Sequence, residues 1–331
     1  EGPLSLQAAV GHAVQGHAAP HAEVAHAGFP RHRPRDPQHD FLRHLLDRAR
    51  KIHVPLVEAF VGAVTGHWQA PGAEGEPPAS GHLAFAQEFL PGVEDAWRVA
   101  LRAVEDGTDF ASPARALGEA TAEVHRTLAE VLGNAPTSRE QAAAIIDEMR
   151  ARFDAAVAEA PQLEEVRGPI ESVLRAAAAC DWPALQRIHG DYHLGQVLHS
   201  PERGWVLLDF EGEPLRPLSE RSLPDQSVRD VAGMLRSFDY VGGTFEQARG
   251  ESARAWVRSA QQAFLDGYAE RAGADPRRLG ALLAAFELDK AMYEVVYEAR
   301  NRPGWVDIPL GAVRRLTAHF SQEPTSQGEP T

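Results

Sequence analysis

Three side chains with oxygen donors, Asp191, Gln196 and Asp209, follow one another in a single stretch of the chain. Carboxylate and amide oxygens are ligands of the kind that Mg²⁺ takes, and a carboxylate can also accept the proton of an attacking hydroxyl. A loop followed by a hairpin can place all three around one point. The set predicts phosphoryl transfer, in which Asp191 orients or deprotonates the acceptor hydroxyl while Gln196 and Asp209 bind the metal.

The order of these residues strengthens this interpretation. Protein kinases also place a catalytic-loop Asp first, then an amide ligand five residues later, then a metal-binding Asp. Here Asp191 belongs to HGD, Gln196 follows by five residues, and Asp209 opens DFEG after an apolar run. A single Asp would more simply be a turn or cap residue. The ordered set favours a functional role.

The sequence around this set carries a specific resemblance. HGD, then H-x-G-Q, then L-D-F-E resemble the aminoglycoside phosphotransferase and choline kinase superfamily, in which the amide is usually Asn. Longer segments are similar to the actinobacterial maltokinases and their glucosamine-kinase relatives. These segments are QEFLPGVEDAW, GDYHLGQVL, DFEGEPLRPLSERS, RDVAGMLRSFDY and DKAMYEVVYEARNRPGWVDIPL. The resemblance covers roughly residues 51–320.

The resemblance implies a bilobal, protein-kinase-like α+β fold, with a small β-containing lobe and a large, mainly helical lobe. It implies an ATP- and Mg²⁺-dependent sugar kinase. The first reading is a maltokinase that makes maltose 1-phosphate for glycogen-like α-glucan synthesis, and the alternative is a glucosamine kinase. A trehalose synthase is implied as a candidate partner.

The resemblance also implies roles for individual residues. Asp191 matches the catalytic base, and Gln196, Asp209 and Glu211 match the metal ligands. The adenine-binding connector corresponds to Gln87, Glu88 and Leu90. The acceptor side of the site corresponds to His193, Glu213, Arg216, Asp239, Lys290, Tyr293 and Tyr297.

The last three of these residues also fit together on physical grounds. Lys290, Tyr293 and Tyr297 are spaced so that they share one helix face, where a sugar would find hydrogen-bond partners and an aromatic wall. The alternative, that the tyrosines pack into the core, stays open at this point.

The chain is expected to divide into four parts. We expect a poorly ordered or truncated segment over 1–39, a partial N-terminal lobe and hinge over 40–92, a helical catalytic lobe over 93–320, and a disordered tail over 321–331. No Gly-rich phosphate loop precedes residue 60, and the only lysine there is Lys51, at the end of a predicted helix. A second hypothesis is therefore a pseudokinase or a non-catalytic module that binds a sugar or a partner enzyme.

Hydrophobic periodicity predicts the elements that must position the site. The expected elements are a helix over 40–51, a strand pair within 54–65, a loop over 70–81, a strand over 81–92, helices over 94–106, 112–133, 138–159 and 161–178, a hairpin over 197–209, and helices over 227–240, 251–272 and 276–300.

Composition excludes several classes of function. A net charge of −14 at pH 7 argues against nucleic-acid and anionic-membrane surfaces, because both would repel the chain. No apolar run is long enough for a transmembrane helix. Cys180 is the single cysteine, so no intrachain disulfide can form, and a cytoplasmic location is expected.

Overall fold

The computed structural model describes residues 60–68, 79–87, 89–213, 221 and 223–320, and the chain divides into two compact units. In the first unit, strands β1 (Phe60–Trp68) and β2 (Ala79–Gln87) pair antiparallel. The expectation of a strand pair within 54–65 was wrong, because Phe60–Trp68 is one strand and its partner begins at Ala79. The segments predicted over 1–39, 40–51 and 321–331 lie outside the described residues.

The second unit is mainly helical. Its strands form a three-stranded antiparallel sheet in the order β3-β6-β7 and a two-stranded sheet of β4 and β5. The strands are β3 (Glu94–Asp95), β4 (Asn134–Ala135), β5 (Leu185–Gln186), β6 (Val197–Ser200) and β7 (Gly204–Leu207). The α-helices are α1 (Ala96–Glu105), α2 (Ala111–Leu132), α3 (Arg139–Glu159), α4 (Arg167–Ala178), α5 (Ser227–Arg249), α6 (Arg254–Ala272), α7 (Ala281–Asn301) and α8 (Asp307–Phe320). Within the described ranges, no helix is both long and apolar enough to cross a membrane.

Local chemistry explains where several helices begin. The Asp95 side chain accepts hydrogen bonds from the backbone of Trp97 and Arg98, so α1 begins two residues later than its periodicity predicts. Ser138 and Gln141 form a capping box at the start of α3. The helix predicted over 276–300 is divided, because Gly280 has a positive φ of 39° between a 3₁₀ turn and α7.

Helix α2 packs on α6 at very short range. A Cβ atom placed on Gly118 of α2 would lie 2.0 Å from the backbone oxygen of Phe264, and one on Gly267 of α6 would lie 2.0 Å from that of Arg115. Only glycine permits this approach of the two backbones. Helix α7 contacts α3, α4, α5 and α8, and so lies at the centre of the helical unit.

We expect Gly118→Ala to lower the free energy of unfolding by about 1–3 kcal/mol or more, because the added methyl group forces the two helices apart. Urea denaturation measures this change. The matched control is Gly168→Ala, near the start of α4, where an added Cβ meets nothing within 4 Å. The control should leave stability unchanged or raise it by up to about 1 kcal/mol. Equal stabilities for the two variants would contradict the close packing of α2 on α6.

Candidate active site

The loop that carries Asp191 is fixed by one buried carboxylate. Asp230 of α5 accepts hydrogen bonds from the backbone N–H groups of His189, at 2.7 Å, and Gly190, at 2.9 Å. The Asp230 side chain is 1% exposed. Because both oxygens are engaged by neighbouring backbone groups, the carboxylate fixes the direction in which the chain enters Asp191.

A second layer holds the carboxylate itself. His125 of α2 lies 3.0 Å from Asp230 through Nε2 and 2.9 Å from the Tyr268 hydroxyl through Nδ1. Burial raises the pKa of Asp230, but the His125 hydrogen bond and charge and the backbone donors outweigh burial, so its pKa lies below its ordinary value. Asp230 is therefore the charged anchor of the loop, and His125 supports it.

The two loops of the predicted set touch each other. Gly190 has a φ of 90°, which favours glycine, and a Cβ there would lie 3.2 Å from the Cα of Gly212. The His189 ring lies 4.8 Å from the Phe210 ring and 2.6 Å, through Nε2, from the backbone oxygen of Leu208. The HGD loop and the DFEG loop are thus packed as one structure.

The predicted metal ligands are also adjacent. The Gln196 amide donates to Oδ2 of Asp209 at 3.4 Å, and the Leu208 N–H donates to the Gln196 backbone oxygen at 2.9 Å. Asp209 is exposed and is the one non-glycine residue with a positive φ (55°) in the described ranges. Among those residues, no three His, Cys, Asp or Glu side chains form a metal-binding group. Mg²⁺ usually takes one or two carboxylates and completes its shell with water and phosphate oxygens, so this pair fits such an ion.

A pocket opens beside Asp191. About 370 Å³ of empty space, part of it open solvent, lies among its lining residues. Its lining includes Arg152, Asp191, Glu213, Asp289, Lys290 and Tyr293. Four of the residues that the sequence assigned to the site, Asp191, Glu213, Lys290 and Tyr293, therefore line one pocket.

An ammonium group lies between two of these carboxylates. Lys290 Nζ is 3.1 Å from Oδ1 of Asp191 and 3.8 Å from Oε1 of Glu213. Burial raises the pKa of Asp191, but the charges of Lys290 and His193 outweigh burial, so the pKa lies below its ordinary value. Asp191 is therefore ionised at neutral pH, as a proton acceptor must be.

Sequence reasoning missed three further charged residues of the pocket lining, Arg152, Arg229 and Asp289. Asp289 accepts from Arg152 at 2.7 Å and from Arg229 at 3.1 Å, and Arg152 also lies 3.9 Å from Glu213. Arg229 and Asp230 belong to the segment RDVAGMLRSFDY, and Asp289 begins DKAMYEVV. The motifs therefore contained these three residues, but no spacing along the chain indicates that they lie close to Arg152 of α3.

Several predicted site residues lie elsewhere or are not described. Asp239 does not line the pocket, because it pairs with Arg236 and Arg315. Tyr297 is 41% exposed and stacks on Tyr293 at 6.4 Å, outside the pocket lining. Burial lowers the pKa of His193 to about 4, and its Nδ1 accepts from the Gly195 N–H.

Some of the remaining predicted residues are described by the structure, and others are not. Glu211 is exposed, two residues after Asp209, and Leu90 is buried in the helical unit. Gln87 is the last residue of β2. Glu88 and Arg216 lie outside the described residues. The roles assigned to all of these residues stay predictions.

Comparisons with known proteins point to one family. The chain is 34% identical over 256 residues to a glucosamine kinase of Streptacidiphilus jiangxiensis, and 28% identical over 250 residues to a glucosamine kinase of Mycolicibacterium smegmatis. These alignments cover 72% and 71% of the chain, which spans only 58% and 62% of the length of the two relatives. No model of a known protein family matches the chain.

A solved structure gives the same result for the fold. A glucosamine kinase in complex with glucosamine, ADP and inorganic phosphate superposes with a TM-score of 0.72 and 27% identity, covering 86% of the chain and 73% of that protein. The predicted α+β, kinase-like fold is confirmed. The names of the relatives favour the predicted alternative, glucosamine kinase, over maltokinase.

We expect Asp230→Asn to lower the free energy of unfolding by about 1–3 kcal/mol at pH 7, because an amide places an N–H group against a buried donor. Since the folded pKa of Asp230 is depressed, its stabilising effect is present above the unfolded value near 4 and is lost as pH falls through the folded value. The gap between wild type and variant should therefore shrink in acid.

Urea denaturation at several pH values measures this gap. The exposed Asp106→Asn, at the end of α1, is the control and should change stability by less than about 0.5 kcal/mol. A gap that stays constant from pH 7 to pH 3 would contradict an ionised anchor.

Proposed function

We propose that the chain is an aminoglycoside-phosphotransferase-like kinase, as its motifs and its similarity to glucosamine kinases indicate, and that it transfers a phosphoryl group from ATP to a hydroxyl of an amino sugar. Glucosamine is the leading acceptor. The observation that carries the proposal is the pocket beside Asp191, in a chain that is 34% identical to a glucosamine kinase.

The charge of the pocket supports a cationic acceptor. The carboxylates of Asp191 and Glu213 both face an ammonium group, that of Lys290, within 4 Å. Lys290 compensates part of this charge, but the pocket lining as a whole carries four carboxylates against three cations, and this net negative charge favours a cationic acceptor. Tyr293 supplies an aromatic wall on the same side, with its ring 4.7 Å from the Lys290 ammonium.

Asp191 is the proposed base. The acceptor hydroxyl gives its proton to the Asp191 carboxylate as its oxygen bonds to the γ-phosphorus of ATP. The bond between that phosphorus and the oxygen of ADP breaks, and ADP leaves with the electron pair. The depressed pKa of Asp191 keeps its carboxylate ready to accept at neutral pH. Asp230 fixes the loop, so that the carboxylate is held in one direction before the acceptor binds.

Gln196 and Asp209 are the proposed ligands of Mg²⁺, with Glu211 as a third candidate. The ion, when bound, would neutralise charge on the phosphates. Asp209 contributes a carboxylate, and Gln196, whose amide nitrogen lies 3.4 Å from that carboxylate, contributes a neutral amide. Gln87, Glu88 and Leu90 are the proposed adenine contacts.

Two alternatives stay in view. The first alternative is maltose, the acceptor that the sequence motifs favoured. The chain would then be a maltokinase that supplies α-glucan synthesis, with trehalose synthase as a candidate partner. A non-catalytic module would bind a sugar without turnover. The same experiment separates both from the leading proposal.

We expect the full chain to consume ATP with glucosamine as acceptor, and to do so more efficiently than with maltose or glucose, in a coupled assay with mass analysis of the product. Asp191→Asn is nearly isosteric and should lower kcat by about 10²–10⁴-fold. Asp106→Asn is the control and should leave kcat unchanged. Calorimetry with ATP and Mg²⁺ completes the test. Nucleotide binding without turnover on any acceptor would favour the non-catalytic module, and a preference for maltose would restore the maltokinase.

The ranking of the metal ligands is a separate prediction. Asp209→Asn keeps a residue that tolerates the positive φ but removes the charge. We expect it to raise the Mg²⁺ concentration at half-maximal rate by about 10–100-fold. Gln196→Asn keeps the amide and should be milder. Initial rates across a Mg²⁺ titration, at saturating ATP and acceptor, measure both effects, and equal losses would contradict the ranking.

A further inference from the structure

Lys290 contacts only one oxygen of the Asp191 carboxylate. Its ammonium donates to Oδ1 at 3.1 Å, and within the described part of the chain Oδ2 accepts no hydrogen bond. Both side chains are largely buried, with exposed fractions of 22% for Lys290 and 17% for Asp191. One oxygen is therefore held by Lys290, in a residue that lines the pocket.

The identity of this cation is unusual for the chain. Lysine and arginine together number 33, yet only two of them, Lys51 and Lys290, are lysines. Arginine presents a planar fork that binds both oxygens of a carboxylate, whereas lysine acts as a point charge with three donors. A chain that uses arginine almost everywhere thus places a lysine at the one position where a fork would cover the proposed base.

An aromatic ring packs beside the ammonium. Lys290 Nζ lies 4.7 Å from the centre of the Tyr293 ring, and the Tyr297 ring stacks on that of Tyr293. The guanidinium of Arg302 in turn lies 5.5 Å from the Tyr297 ring. This stack extends along α7, and the ammonium at its end lies within 4 Å of both Asp191 and Glu213.

We propose that Lys290 is the positioning residue of Asp191. Its ammonium holds Oδ1 and leaves Oδ2 to accept the proton of the acceptor hydroxyl, and a lysine is required because an arginine would occupy both oxygens. The inference rests on the proposed kinase function. In this inference Lys290 acts on the proposed base and does not bind the sugar. Substitution of Lys290 should therefore lower kcat strongly and change the acceptor KM little.

Other charged groups near Asp191 do not replace this interaction. His189 and His193 belong to its own loop, and burial holds the pKa of both below the ordinary value. Tyr293 of α7 is neutral at pH 7, since burial raises its pKa to about 12. Glu213 and, on α5, Asp230 are anions. Beyond Glu213, the cations Arg152 and Arg229 pair with Asp289.

The test compares Lys290→Met with Lys290→Arg. Lys290→Met should lower kcat by about 10²-fold, as expected for a misplaced reacting group, with acceptor KM changed by less than about threefold. Lys290→Arg should lower kcat to a similar extent although it keeps the charge. The control is Arg300→Met, which lies on α7 as Lys290 does and removes only a surface ion pair with Glu159 of α3. It should retain wild-type kcat. Melting temperatures verify that each variant is folded.

The pH profile distinguishes positioning from a structural role. Lys290 lowers the pKa of Asp191, so Lys290→Met should move the acid limb of kcat/KM to higher pH, while Lys290→Arg should leave the limb in place. Wild-type kcat in Lys290→Arg would overturn the inference, and so would a loss in Lys290→Met with no movement of the acid limb.

A second measurement does not depend on turnover. With only two lysines, a chain labelled with ¹³C at lysine Cε gives two signals, and Lys290→Arg identifies one of them. In Asp191→Asn, the pKa of Lys290 should fall, because burial then acts without the Asp191 charge. An unchanged titration would reject the ion pair and with it the inference. If the titration of Lys290 shifts in Asp191→Asn but the wild-type protein turns over no acceptor, the proposed function is rejected and Lys290 is a structural partner of Asp191 only.

Discussion

The hydrogen bonds that Asp230 accepts from the backbone of His189 and Gly190 set the geometry on which the site depends. The two bonds hold the backbone of His189 and Gly190 against a buried carboxylate, and Asp191 is the residue that follows Gly190. His125, whose other ring nitrogen is hydrogen-bonded to the Tyr268 hydroxyl, contacts the Asp230 carboxylate, so the buried charge has a partner.

The loop held by Asp230 in turn positions the segments that pack against it. Gly190 meets Gly212, and His189 meets Phe210, so the loop that carries Asp209 is packed against the loop that carries Asp191. Helix α7, at the centre of the helical unit, then brings Lys290 to the carboxylate. A buried carboxylate and a buried ammonium each stabilise the charged form of the other, so the pair is as much part of the fold as of the site.

The elements near the site were predictable because their signals are local. Two short apolar runs on either side of the turn that ends at Gly204 indicate the hairpin that precedes Asp209, and periodicity indicates α2 and α5. Element ends were less predictable. The Asp95 cap and the positive φ of Gly280 moved the starts of α1 and α7 from where periodicity placed them. Such shifts depend on single hydrogen bonds and single dihedral angles, which an apolar repeat does not contain.

The sequence by itself determined the chemical set, since Asp191, Gln196 and Asp209 follow one another in an order and spacing that suit phosphoryl transfer. Only the tertiary structure decided which residues surround it. Lys290 lies 99 positions from Asp191, and it lines the pocket while Asp239, which the motifs also suggested, pairs with Arg315. The physical reason is that a contact between distant residues depends on how whole helices pack, whereas spacing along the chain reports only on neighbours within one helix, turn or hairpin.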